Sequence, residues 1–179
     1  MNTPPEPGTG LEIYQLQPER DRALVDELFW EYLQSATARF QPELGVDLGL
    51  DVKALHEQSM CELDKFAPPH GRLLLARQAG QVAGVACMRK IKPGVGEIKR
   101  MYVRPAFRRQ GIGRALTERL LSEARAIGYT SLRLDSTRFM HAAHALYRSL
   151  GFREIEPYPE SEIPPQFQSH WVFMELNLR

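Results

Sequence analysis

Ile98-Lys99-Arg100-Met101-Tyr102-Val103 leads through Arg104-Pro105-Ala106-Phe107 into Arg108-Arg109-Gln110-Gly111-Ile112-Gly113-Arg114-Ala115. The first six residues form a mostly apolar run that predicts a strand, broken by Pro105. The last eight open a segment of helical period. A strand, a glycine-containing turn and a helix N-terminus in that order make an anion site. Glycine lets the backbone approach a ligand closely, and the first helical N–H groups have no intrahelical acceptor. The helix dipole adds partial positive charge, and Arg108, Arg109 and Arg114 add formal charge. The candidate donors are the backbone N–H groups of Arg109, Gln110, Gly111, Ile112, Gly113 and Arg114, and a diphosphate is the natural guest.

A second block lies downstream, Ala145-Leu146-Tyr147-Arg148-Ser149-Leu150-Gly151-Phe152. The pattern Arg108-x-x-Gly111-x-Gly113 resembles the acetyl-CoA loop of the GNAT superfamily of N-acetyltransferases. The second block is similar to that superfamily's A-x-x-L-Y-x-x-L-G-F signature. Two blocks in the expected order are far more specific than one glycine-rich loop. The resemblance runs from about Leu11 to Leu178. It implies an α/β, single-domain GNAT-type fold, with a mixed sheet of about seven strands flanked by about four helices. The sheet is expected to splay at the cofactor site.

The resemblance also implies an activity: an acetyl group moves from acetyl-CoA to an amine acceptor by direct attack. Backbone groups of Met101, Tyr102 and Val103 are then expected to hold the pantetheine arm as an added strand. Arg108 and the turn behind it would hold the diphosphate. Tyr147 matches the tyrosine near the cofactor sulfur, where a phenol can protonate a departing thiolate. Glu97, at the start of the same strand, stands where the superfamily often places a glutamate base. Partial burial would have to raise its pKa toward neutrality; otherwise water takes the proton and Glu97 orients the amine. One position departs from the pattern. Many relatives carry Asn seven residues before the tyrosine, and here that residue is Met140. Ser136, Thr137 or His141 would have to supply the missing contact.

Composition narrows the alternatives. The chain has 179 residues, 43% hydrophobic and 25% charged, which suits one soluble domain with a real core. A net charge of +1 offers no general field for nucleic acid or anionic lipid. Arg100, Arg104, Arg108, Arg109, Arg114, Arg119 and Arg125 are interrupted by Glu97, Glu118 and Glu123, without a stacking pattern for single strands. A nucleic-acid-binding protein is therefore the weaker rival. A non-catalytic acyl-CoA-binding module on the same fold is the stronger one. No apolar run has membrane-spanning length, so no membrane partner is expected. Met1 to Gly10 reads as a loose tail without a signal core, and 11–179 as the catalytic domain. Cys61 and Cys87 have neither metal nor disulfide spacing, which suits a cytoplasmic protein. His141 and His144 are three apart with no third ligand in pattern, so no metal site is expected and a solvent-facing pair is the plainer reading. Cys87 reads as a small buried hydrophobe.

Along the chain, Leu11 to Leu16 predicts a strand and Pro18 to Ser35 an amphipathic helix. Phe40 to Gly49 reads as loop, punctuated by Pro42, Gly45 and Gly49. Asp51 caps a second helix over Val52 to Lys65. Arg72 to Gln78 and Gln81 to Lys90 form a hairpin across Ala79-Gly80. Glu97 to Val103 is the next strand, and Gly111 to Ile127 a helix stopped by Gly128. A strand over Ser131 to Ser136, a short helix over His141 to Leu150, and strands over Phe152 to Tyr158 and His170 to Leu178 complete the order. Tyr32, Phe40, Tyr158, Phe167 and Trp171 are candidates for an aromatic acceptor pocket. No acidic trough for a basic peptide is visible, which favours a small-molecule amine over a protein. A homodimer is compatible with all of this.

Overall fold

Leu73, Leu74, Leu75 and Ala76 are all buried, and alternate residues face opposite layers. Leu74 and Ala76 join one core, Leu73 and Leu75 the other. A strand with period two and no polar face must be covered on both sides. The computed structural model, which describes residues 10–179, has that arrangement. The reading of Met1 to Gly10 as a tail falls almost wholly outside the described residues.

In chain order the first elements are β1 (Leu11–Gln15), α1 (Pro18–Thr37), α2 (Phe40–Leu44) and α3 (Val52–Cys61). Next come β2 (Arg72–Gln78), β3 (Gln81–Lys92), β4 (Val95–Val103) and α4 (Ile112–Ile127). The chain closes with β5 (Ser131–Thr137), α5 (His141–Ser149), β6 (Arg153–Ile155) and β7 (Trp171–Asn177). The strands form one 7-stranded sheet in the order β1-β2-β3-β4-β5-β7-β6. It is mixed, because β4 and β5 are parallel while the other pairs are antiparallel.

One core lies under α4 and includes Ile112, Leu116, Leu120, Leu121 and Ala124, the apolar face read from the sequence. The other lies under α1 and includes Val25, Leu28 and Phe29. Each fully buried Leu or Phe contributes roughly 1.5–3 kcal/mol. The β2–β3 turn holds Ala79 at φ 48° and Gly80 at φ 78°, the two positive angles that a type I′ hairpin needs. Asp51 caps α3 by accepting from the backbone N–H of Lys53 and Ala54 at 2.9 and 3.1 Å. Among the described residues no helix is long and apolar enough to cross a membrane.

Three segments differ most from the sequence expectation, and one is the strand expected over Phe152 to Tyr158, which is confined to Arg153–Ile155. Phe40 to Gly49 is not all loop. Phe40 is buried against Phe139 and Trp171, with ring centroids 5.8 and 5.7 Å away, and a five-residue helix carries it there. Pro42 sits in the first turn, where no N–H is missed, and Gly45 closes the helix at φ 68°. Among the described residues the α-helices therefore number five. The expected helix over Val52 to Lys65 ends at Cys61, and a 3-10 turn, Leu63–Phe66, follows it.

Candidate active site

The sheet opens beside the sequence first quoted. β4 and β5 pair from Val95 with Ser131 to Ile98 with Leu134, and no further. Beyond that point β5 continues along β7, as far as Thr137 opposite Trp171. β4 continues along β3 to Val103 opposite Gly84. The β5-facing edge of β4 from Lys99 onward thus has no strand partner, and Met101, Tyr102 and Val103 lie along it.

A bulge shapes that edge. Val85 faces Tyr102 and Cys87 faces Lys99, so Arg100 and Met101 together oppose Ala86. Arg100 is the extra residue and has φ 50°. The insertion lets Ile98 and Met101, three apart, both meet the core under α4, while the Arg100 guanidinium lies over Phe29 and Phe66 on the other face.

The glycine turn ends this edge. Gly111 stands at the N-cap of α4 with φ 82°, and no side chain caps the helix. Arg109 is also left-handed, at φ 62°. A Cβ on Gly111 would meet nothing within 4 Å, so the turn needs glycine there for its backbone angle and not for space within the protein. Arg108, Arg109, Gln110 and Gly111 are exposed. Arg108 donates from Nε to the Val103 carbonyl at 2.9 Å, and Arg114 from Nη2 to Ser149 Oγ at 2.7 Å. Arg108 is thus held at the turn by a neutral acceptor, while Arg114 also pairs with Glu118 at 3.4 Å. An uncapped helix N-terminus with exposed arginines fits a diphosphate.

A cavity of about 390 Å³ fills the splay. Ile98, Lys99, Arg100 and Met101 from β4 line one wall, and Leu134, Asp135, Ser136 and Thr137 from β5 the other. Tyr147 of α5 is on its lining, and burial pushes its phenol well above the usual tyrosine range, with Tyr32 and Asp135 adding to the shift. Tyr32, Phe40, Phe167 and Trp171 also line the cavity. Tyr158 does not; it turns away to donate to Glu97. Met140, where the motif has Asn in many relatives, lines the cavity too. Thr137 lies in the same wall, and its Oγ1 is buried without a hydrogen-bond partner. His141 is absent from the wall.

Glu97 stands near the start of β4, as expected, but in different surroundings. It sits where β4 is still paired on both sides, with Arg89 on β3 and Arg133 on β5. Its side chain is 0% exposed and absent from the cavity lining. One carboxylate oxygen accepts from Arg89 Nε at 2.6 Å and the other from Tyr158 Oη at 2.6 Å. Both oxygens are thus engaged, and the partial burial expected of a free base is full burial instead. Glu97 belongs to an ionic cluster that reaches the cavity through Lys99, which lies 3.9 Å from it. Lys99 contacts Asp135 at 3.0 Å and Glu162 at 3.6 Å. Glu162 also pairs with Arg89, and with Lys65 at 4.0 Å. Lys99, Asp135 and Glu162 were not singled out as a unit in the sequence. Only the fold brings Glu162, from the loop before β7, onto β4.

His144 is buried at 3% exposure, not solvent-facing, and burial lowers its pKa, so it is neutral at pH 7. Burial pushes the Cys87 thiol up to about 12. Among the described residues there is no cluster of three or more His, Cys, Asp or Glu side chains that could hold a metal ion.

With this geometry in place, comparison with known proteins is decisive. Residues 24–152 match the acetyltransferase (GNAT) family. The chain belongs to that family. The IAA acetyltransferase of Azospirillum brasilense is 37% identical over 127 residues, covering 70% of this chain and 82% of that protein. An uncharacterized N-acetyltransferase of Schizosaccharomyces pombe is 34% identical over 153 residues, 84% of this chain and 85% of the relative. The crystal structure of the PaiA N-acetyltransferase from Thermoplasma acidophilum, in complex with coenzyme A, superposes with a TM-score of 0.70 at 16% identity. It covers 94% of this chain and 99% of that one. At that identity the likeness concerns the GNAT fold alone: the same mixed sheet, with helices on both faces.

Proposed function

We propose that this GNAT chain transfers the acetyl group of acetyl-CoA to the amine of a small molecule, by direct attack inside the splay. The observation that carries the proposal is the continuity of three features along β4: the unpaired edge, the uncapped N-terminus of α4 and the Tyr147-lined cavity. Acetyl-CoA supplies the thioester that the amine attacks. The edge at Met101, Tyr102 and Val103 pairs with the pantetheine amides as a further strand would. The N–H groups from Arg109 to Arg114, with Arg108 beside them, hold the diphosphate.

Tyr147 gives its proton to the sulfur as the carbon–sulfur bond breaks. The phenol carries its proton at neutral pH, as this role requires. Thr137 Oγ1, buried and without a partner, takes the contact made by Asn in many relatives. Glu97 acts at one remove: it fixes Arg89 and Tyr158 and, through Lys99, the charges at the cavity wall. Water accepts the amine proton. The cavity volume falls in the range of roughly 300–1,000 Å³ typical of small-ligand sites, which favours a small acceptor over a protein surface.

A thiol-release assay with acetyl-CoA tests this proposal, run over amines, amino acids and unfolded protein substrates. Saturable thiol release with at least one small amine is expected. Saturable acetyl-CoA binding with no release in any arm would point to a non-catalytic binding module instead.

A further inference from the structure

β4 carries a cation that the fold leaves without a counter-charge. Arg100 has φ 50°, a conformation that non-glycine residues rarely adopt, and strain of this kind gathers at functional sites. Its guanidinium lies 5.3 Å from the Phe29 ring centroid and 5.1 Å from that of Phe66. It donates once, from Nη2 to the neutral hydroxyl of Ser59 at 3.0 Å. A guanidinium offers five N–H donors in a fork. Among the described residues no carboxylate forms an ion pair with it. The two acids on the cavity lining are held by other cations: Asp135 by Lys99, and Glu162 by Arg89 and Lys99. Arg100 is nevertheless half-buried, and with Ser59 it lines the cavity.

A half-buried guanidinium on an apolar wall, held flat by two rings and short of acceptors, recognises a planar anion. Lys99 does not compete for that anion, because carboxylates already surround it. The lining of the cavity that Arg100 shares is largely apolar, with Leu33, Phe40, Leu50 and Phe167 among it. We propose that Arg100 anchors the carboxylate of the acceptor, and that the acceptor is an α-amino acid with an apolar side chain. This rests on the acetyl-transfer reading of the same cavity. The amine nitrogen bonds to the acetyl carbon and the carbon–sulfur bond breaks. The ammonium gives one proton to water before it attacks, the thiolate takes a proton from Tyr147, and the second proton lost from the nitrogen restores the Tyr147 phenol by way of solvent. The products are an N-acetyl amino acid and free coenzyme A.

The test compares L-phenylalanine and L-leucine with their carboxamides and with phenethylamine. The carboxamide amines are less basic and so more deprotonated at neutral pH. A preference for the acids therefore cannot come from the nucleophile itself. The expected kcat/KM for each acid exceeds that for its carboxamide by at least roughly 30-fold, the cost of leaving a buried charge unpaired. In Arg100→Gln, checked for cooperative unfolding, that ratio falls toward one. If the variant does not fold, the wild-type panel still decides.

Calorimetry of L-phenylalanine and its carboxamide against the coenzyme-A-loaded wild type separates the two proposals. Thiol release with no preference for the acids overturns the carboxylate anchor and leaves acetyl transfer standing. Carboxylate-dependent binding without thiol release keeps the anchor and overturns acetyl transfer. Neither binding nor release overturns both.

Discussion

In the proposed reaction Tyr147 is the residue on which the chemistry most depends. The residue lies on the cavity lining, and burial raises its phenol above the usual tyrosine range. Tyr147→Phe keeps the ring against Phe152, 5.6 Å away, and removes only the acid. The expected result is a kcat lowered by roughly 10²–10⁴-fold with unchanged calorimetric affinity for acetyl-CoA. An unaltered kcat in a chemistry-limited assay would reduce Tyr147 to packing. Glu97→Gln is expected to behave differently. It leaves a buried arginine with less counter-charge, so the protein should lose about 3 kcal/mol in denaturant unfolding. The rise of rate with pH, set by deprotonation of the amine, should remain. Loss of that rise would show that Glu97 takes the proton itself. The sequence put Tyr147 on a short helix, as the structure has it in α5, because its motif and its helix period agree. Glu97 was legible as a position and not as an environment: Arg89 and Tyr158 lie 8 and 61 residues away.

Among the elements, α1 shows how a local signal becomes stability. Pro18 occupies its first turn, as the sequence implied, but Gln17 gives no side-chain cap. Asp21 compensates by accepting from the Gln17 N–H at 3.0 Å and from Arg20 Nε at 2.7 Å. The Arg20 guanidinium, and then the Gln17 N–H, hold its carboxyl below the ordinary aspartate range. A depressed folded pKa stabilises above the unfolded value, near 4, and that contribution is lost as pH falls through the folded value. Asp21→Asn should therefore cost about 1 kcal/mol at neutral pH and give a flatter stability curve below pH ~4. Equal acid sensitivity in both proteins would contradict this. α2 was hidden for the opposite reason. Pro42 and Gly45 look like loop residues until Phe139 and Trp171 give Phe40 a place to bury. The bulge at Arg100 was equally hidden, because an inserted residue shows only against the partner strand.

At the scale of the whole molecule, the order of elements along the chain and their layering followed from the sequence, because apolar strand runs bounded by turn residues alternate with segments of helical period; the order of strands within the sheet did not. The cavity did not, since its walls come from α1, α2, α3, β4, β5, α5 and the loop before β7. What unites them is the parting of β4 from β5, which exposes one strand edge and points α4 at its end. The central claim is that this edge and turn bind acetyl-CoA. The most direct measurement is a calorimetric titration of acetyl-CoA into wild type and into Gly111→Val, with both proteins shown to unfold cooperatively. A valine at φ 82° is strained by roughly 1–2 kcal/mol and pulls the turn out of its left-handed shape. The account predicts saturable binding by the wild type and at least about tenfold weaker binding by the folded variant. Equal affinity in the two proteins, or no saturable binding by the wild type, would contradict it.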